Sequence, residues 1–361
     1  MVKVAPQGAS ADFQVGTDAV EFLRSEPLSK SSTPSSASSS STPLLVGACI
    51  AWGVVTLLFF LLFTAPGEDG AQPAWFLLGI NLLETGAFFL AGLLCFRNWR
   101  STQIASGRNV WFWIGLGLLF YVLGNVMFFL WGNIWGLDPA VSLGDFFYIF
   151  SYIFLAAGMF KAVLPRRLNL ELPQWLMVVG IGLGGILLTI FVNLAAAEAA
   201  VVPGAPAPTL YLAQTASPAA PEASPEVAPE AAPPAVPESV AETSTAPDWV
   251  LQLDGILEPL ADGVGLLYLI GDVVLLIIAG TLLVAFWGGR YSQSWKLIAI
   301  AAFCLYIADM FFAYAVNTDS YIEGSLWEVF WTFSAVFFGL GAVVEHAVSV
   351  NSRRSTRRRR G

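Results

Sequence analysis

The sequence predicts an all-α membrane protein with eight transmembrane helices and both termini in the cytoplasm. Three observations predict it. The composition is too apolar for water: of 361 residues, 56% are hydrophobic and 12% charged, and the mean hydropathy is +0.69, whereas an ordinary soluble domain is ~25% charged. The apolar residues fall in blocks long enough to cross ~30 Å of hydrocarbon, which takes about 20 helical residues at ~1.5 Å each. The basic residues lie on alternate connections between those blocks, as the positive-inside rule requires.

Taken in order, residues 1–43 form a cytoplasmic tail. Residues 31–42 are almost all Ser, Thr, Pro and Ala, a composition that cannot bury enough apolar surface to order itself. No basic start followed by an apolar run marks a signal peptide. The spans are 44–64, 73–96, 110–131, 142–164, 174–195, 264–287, 295–316 and 325–347. Lipid offers no partner for backbone N–H and C=O groups, so each is helical. Residues 44–195 hold the first four-helix unit and the fifth span. The connection 196–247 carries 11 of the 21 prolines among Ala and Glu, with no basic residue. It reads as a disordered extracytoplasmic linker, a wall-binding or partner-binding arm being the alternative. In 248–263, Trp249, Leu253, Ile256, Leu257 and Leu260 share one helical face, and Asp254, Glu258 and Asp262 another. That pattern predicts an amphipathic interfacial helix bent at Pro259. Three spans within 264–347 follow, and 348–361 is a basic cytoplasmic tail.

With the N-terminus inside, the inner connections are 97–109, 165–173, 288–294 and the C-terminal tail. They and the adjoining helix ends carry Arg97, Arg100, Arg108, Lys161, Arg166, Arg167, Arg290 and Lys296, and the tail adds Arg353, Arg354, Arg357, Arg358, Arg359 and Arg360. The outer connections 65–72, 132–141, 196–263 and 317–324 carry no Lys or Arg. An odd number of spans would break this asymmetry. The tail arginines are read as topology anchors at anionic headgroups. The net charge of −9 therefore divides into an acidic outer face and a basic inner one, and carries no message about nucleic acid. Trp75, Trp131, Trp135 and Trp327 outside, with Trp99, Trp111, Trp175, Trp287 and Trp295 inside, predict an interfacial aromatic belt. Cysteine labelling should find the Pro-rich stretch and the polyarginine tip on opposite sides of the membrane; both in one compartment would overturn the even count.

The two halves share spacings. Trp111 precedes Asn125 by 14 residues, and Trp295 precedes Asp309 by 14; Asn125 to Asp145 is 20, and Asp309 to Glu328 is 19. Asp145 is followed at +3 by Tyr148, and Glu328 at +3 by Trp331; Glu84 precedes Trp99 by 15, as Asp272 precedes Trp287. These matches predict a 4+4 parallel internal duplication, spans two to four mapping onto six to eight and span one, by position, onto span five. Units of four spans share one orientation, unlike inverted transporter repeats.

Chemistry concentrates on groups that lipid penalises. Glu84, Asp145, Asp272, Asp309 and Glu328 lie within spans, with Asn81 and Asn125, and no Lys or Arg lies mid-span to neutralise them. An ionised carboxylate deep in a helix costs at least ~2.5–3.5 kcal/mol on insertion scales. Each must be protonated, hydrogen-bonded, hydrated from an outer vestibule or bound to a cation. The set is biased to the outer half, as an externally accessible pocket requires. Phenols accompany it at helical spacing: Tyr121 with Asn125, Tyr148 with Asp145, Tyr268 with Asp272, and Tyr306 with Asp309. A phenol can donate to a carboxylate from a neighbouring helix and lower its burial penalty. The candidate ligand or ion site is therefore Glu84, Asn125, Asp145, Tyr148, Asp272, Asp309 and Glu328. The bland alternative is that these groups simply knit helices together.

The absences narrow the classes. The one histidine, His346, lies near the inner end of span eight, and Cys49, Cys95 and Cys304 all fall within spans. No bis-histidine haem, histidine zinc site, disulfide framework or metal is expected. No mid-span lysine could hold a retinal Schiff base, and no phosphate loop, HExxH or GxSxG motif occurs. The expectation is a protein without catalytic residues or cofactors.

The stretch Ser142-Leu143-Gly144-Asp145-Phe146-Phe147-Tyr148-Ile149-Phe150-Ser151-Tyr152, preceded by Tyr121–Asn125, resembles the multi-pass membrane sensory input regions of bacterial diguanylate cyclases (GGDEF proteins) and sensor histidine kinases. Tyr268-Leu269-Ile270-Gly271-Asp272 resembles its counterpart in their second half. The likeness covers roughly 110–165 and 264–347. It implies a module of a bacterial plasma (inner) membrane that passes an external or intramembrane signal inward. This chain departs from the pattern in one respect: about 14 residues follow span eight, so an output module would have to be a separate cytoplasmic signalling partner. The rival expectations are a proton- or cation-coupled transporter using the same carboxylates and a structural assembly subunit.

Overall fold

A computed structural model describes residues 41–64, 72–137, 141–164, 171–200, 246–286, 292–318 and 320–358. The expectations for residues 1–40 of the N-terminal tail, 201–245 of the Pro-rich stretch, Arg166, Arg167, Trp287, Arg290, Arg359, Arg360 and the side chains of Arg353, Arg354, Arg357 and Arg358 lie outside the described residues, whereas 41–43 and 196–200, expected to be tail and linker, are helical. The helices are α1 (Ser41–Phe63), α2 (Ala74–Arg100), α3 (Arg108–Phe129), α4 (Leu143–Val163), α5 (Leu172–Ala200), α6 (Asp248–Leu257), α7 (Ala261–Ala285), α8 (Ser292–Asn317) and α9 (Val329–Arg358). All but α6 are long and apolar enough to cross a bilayer, giving eight candidate spans among the described residues. Their limits agree with the hydropathy reading to within a few residues.

Local chemistry sets several of the ends. Ser142 and Asp145 form a capping box at the start of α4: the Ser142 hydroxyl accepts from the Gly144 N–H at 3.1 Å, and Asp145 accepts from the Ser142 N–H at 2.7 Å. Pro73 and Pro247 occupy the positions before α2 and α6, where their fixed φ is harmless. A short π turn, Leu130–Ile134, ends α3. Pro259 lies in a 3₁₀ turn, Glu258–Leu260, that interrupts the α-helical pattern between α6 and α7.

Six helices close a ring of contacts: α2 against α3, α3 against α4, α4 against α7, α7 against α8, α8 against α9, and α9 back against α2. Inside it lies one core that includes Phe88, Trp111, Leu118, Leu155, Leu282, Trp295, Leu305 and Phe338. Outside it, α1 lies on α9 and α2, whereas α5 lies on α7 and α8. Spans one and five, paired by position in the sequence, thus pack differently. Glycines permit the closest approaches. A Cβ on Gly158 would stand 2.9 Å from the backbone N of Ile114, and one on Gly117 3.0 Å from that of Leu155. Across α8 and α9, a Cβ on Gly341 would stand 3.2 Å from the Ser294 carbonyl oxygen. Small residues at such crossings let helix backbones approach where lipid supplies no hydrophobic drive for association.

The aromatic belt is thinner than expected. Trp75 and Trp175 are 56% and 50% exposed, as interfacial residues should be, but Trp111, Trp131 and Trp295 are 0% exposed. Trp111 and Trp295 meet each other with ring centroids 5.9 Å apart. Trp131 is covered by Val250 of α6, with Ala246 beside it. That packing also corrects the reading of α6: Val250, Leu253 and Leu257 face the bundle, while Trp249 and Ile256 remain exposed. Span-end position cannot distinguish a tryptophan facing headgroups from one facing the next helix.

Candidate functional site

The polar residues of α2, α3, α4, α7, α8 and α9 meet in the half of the ring that adjoins α6. On the first side, the Asn125 amide on α3 donates to Glu84 Oε1 on α2 at 2.9 Å. The Tyr148 phenol on α4 donates to Asn125 Oδ1 at 2.7 Å. Tyr121, on the same side, stacks on Phe88 with ring centroids 3.8 Å apart. On the second side, the Tyr152 phenol on α4 lies between two carboxyls. It contacts Asp272 Oδ1 on α7 at 2.8 Å and Asp309 Oδ2 on α8. The Trp331 indole on α9 donates to Asp309 Oδ1 at 2.7 Å. Tyr268 on α7 reaches across to Asp145 at 2.6 Å.

Hydrogen counting constrains the centre. A phenol carries one hydrogen and can donate to only one carboxylate at a time. The second contact of Tyr152 needs a hydrogen from the other carboxyl, so Asp272 and Asp309 hold at least one proton between them. Asp272 is 1% exposed, and its Oδ2 has no donor among the described residues. No basic side chain among the described residues joins the hydrogen-bond network. Among the described residues, no group of three or more His, Cys, Asp or Glu is placed to hold a metal ion.

Six of the seven sequence-predicted residues thus enter these linked contacts: Glu84, Asn125, Asp145, Tyr148, Asp272 and Asp309. Glu328 does not enter the hydrogen-bond chain. Both its carboxyl oxygens accept the Gly324 N–H at 3.0 Å, which fixes the turn ahead of α9. Gly324 is required there because its φ is +84° and a Cβ would meet Phe76 at 2.6 Å. At the same rim, burial raises the Glu323 carboxyl above its usual range, opposed by the Asn133 amide that hydrogen-bonds it. Burial, then the neighbouring Glu328 and Glu323, push the Tyr321 phenol well up.

Three of the four phenols donate to a group on a neighbouring helix, and none of the four bonds the residue it accompanies in sequence. Tyr148 serves Asn125 rather than Asp145, and Tyr268 serves Asp145 rather than Asp272. Tyr306 donates to the Gly185 carbonyl of α5 at 2.8 Å rather than to Asp309. Residues three or four apart share a helix face, but a phenol aimed inward spans to the next helix. Tyr152 and Trp331 are site residues that the carboxylate search passed over. The available signal for Trp331 was its place in the repeat spacing: Trp331 to Asp309 repeats the separation of Tyr148 and Asn125 within one residue, and both pairs bond at 2.7 Å.

Two further observations bear on what the arrangement can do. Glu84, Tyr148, Asp309 and Trp331 are only half-buried although helices surround them, so accessible space remains among them. One to two turns further in, every helix of the ring presents a sealed apolar side chain: Phe88, Leu118, Leu155, Leu275, Leu305 and Phe338 are each at most 2% exposed. Beyond this dry layer lies another carboxyl, unflagged by the sequence. Glu345 is 0% exposed and accepts from the Ser106 N–H at 3.2 Å and its hydroxyl at 2.7 Å.

No family model, curated protein or solved structure matches this chain. Fold and site together define a multi-pass helical membrane protein with a carboxyl–phenol network in its interior.

Proposed function

We propose that this protein is a sensor-like module of a bacterial plasma membrane, whose input is the carboxyl–phenol network and whose output is a separate cytoplasmic signalling partner. The input would be a proton or a small cationic ligand entering from the outer side. The observation that carries the reading is Tyr152, which ties Asp272 and Asp309 together without a basic partner. A network short of positive charge gains from any cation or proton that enters it. Trp331 links the network to α9, which runs without a break to Arg358. At ~1.5 Å per residue that is about 40 Å of continuous helix, enough to carry a displacement to the inner surface. The resemblance to sensory input regions supports the same class.

The same carboxyl pair also suits a proton- or cation-coupled transporter, and a shared proton is the specific feature that favours this second reading. Against it, the dry layer interrupts any hydrogen-bonded path from Asp309 to Glu345 in this conformation. In lipid nanodiscs, lowering the pH or adding small organic cations should change the fluorescence of Trp331, read against Trp331→Phe, and Asp309→Asn should abolish the change. Silence in the unaltered protein would sink the sensor reading. Proton or cation flux in liposomes that vanishes in both Asp272→Asn and Asp309→Asn would establish transport instead. A cytoplasmic kinase or cyclase that co-purifies and is lost on deleting 351–361 would support the partner.

A further inference from the structure

A cavity lies away from the carboxyl network, between α5, α7 and α8. Its volume is about 660 Å³, and its wall is almost wholly apolar, with Leu188, Leu283 and Phe303 among the lining side chains. Two polar side chains mark its length: Lys296 and Tyr306, ten residues apart on α8, which at ~1.5 Å per residue is about 15 Å. Gly184 lines the cavity, and a Cβ there would meet nothing within 4 Å, so a larger side chain has room. The Tyr306 hydroxyl, bonded to the Gly185 carbonyl, is satisfied by protein, so that end asks nothing polar of an occupant.

The distribution of basic residues puts Lys296 on the cytoplasmic side, where anionic headgroups concentrate. An elongated apolar cavity, open between helices at lipid depth and carrying one cation at its headgroup end, has the chemistry of a single lipid. We propose that it holds one acyl chain of an anionic phospholipid, with the phosphate drawn to Lys296 and the chain running toward Tyr306. The occupant is a fixed component of the fold, distinct from the ligand of the carboxyl network. The proposal stands or falls independently of that network's function.

The test is lipid retention. The protein is reconstituted in mixed phosphatidylglycerol and phosphatidylcholine, extracted in mild detergent, washed, and its bound phospholipid counted by native mass spectrometry. The expected result is one phospholipid per chain, enriched about five-fold in the anionic species, the preference a single lysine confers near such headgroups. Gly184→Leu should fill the cavity and release the lipid at unchanged thermal stability and elution volume. Gly180→Leu, on the same helix and also without neighbours within 4 Å but outside the cavity wall, should keep it. Lys296→Gln should retain a lipid but lose the anionic enrichment. Lipid-free wild-type protein would overturn the proposal, as would equal retention of both lipids or unchanged retention in Gly184→Leu. So would a crosslinked dimer through this face that Gly184→Leu dissolves.

Discussion

Tyr152→Phe is expected to destabilise the bundle by about 2–3 kcal/mol and to uncouple its two acidic helices. Removing one hydroxyl leaves the facing carboxyls of Asp272 and Asp309 without the donor between them, and a buried acceptor stripped of its partner costs ~1–3 kcal/mol. Bonds between membrane helices average less, about 0.6 kcal/mol, because the unfolded chain in lipid also finds partners. The larger figure applies here because one hydroxyl bonds carboxyls on two different helices, donating to one and accepting from the other. Tyr268→Phe is the control. Asp145 loses that phenol but keeps the Ser142 N–H, so the change should stay near 1 kcal/mol. Unfolding in mixed micelles measures both. In an Asp309→Asn background the Tyr152→Phe effect should shrink, because an amide can donate to Asp272 in place of the phenol. Equal effects of Tyr152→Phe with and without Asp309→Asn would show that the bridge is not a unit.

Gly158→Val should be the most damaging single substitution in α4, at about 3 kcal/mol, the upper end of overpacking effects. A Cβ at this position meets Ile114 both at its side chain, 2.6 Å away, and at its backbone N, 2.9 Å away. A side chain can rotate aside, but a helix backbone cannot move without its helix. α3 and α4 would separate, and the Tyr148–Asn125 bond would be lost with them. Gly47→Ala is the contrasting case, since nothing lies within 4 Å of a Cβ there. A helical Gly→Ala change with no obstruction is worth up to ~1 kcal/mol in favour of the fold. Thermal shift of the two variants in one detergent should move in opposite directions.

The eight spans were legible because the bilayer filters on a local property. A run of about 20 apolar residues is a helix in lipid whatever its neighbours do. Most of the site was legible for a related reason: Glu84, Asp145, Asp272 and Asp309 are conspicuous in a medium that penalises each carboxylate individually. Glu328 was conspicuous for the same cause, yet it holds the turn at Gly324.

What the sequence determined by itself is the set of helices and the few residues too polar to face lipid, since both follow from transfer energies counted residue by residue. Which phenol serves which acid was decided only in three dimensions. Tyr152 sits in an aromatic-rich apolar run and Trp331 is marked only by the repeat spacing, so neither shows as an acid's partner until α4, α7, α8 and α9 are packed. The same holds for the buried tryptophans and for the separate placing of α1 and α5. Between membrane helices, partners are chosen by shape and by single hydrogen bonds across neighbouring faces, and those terms exist only once the faces meet.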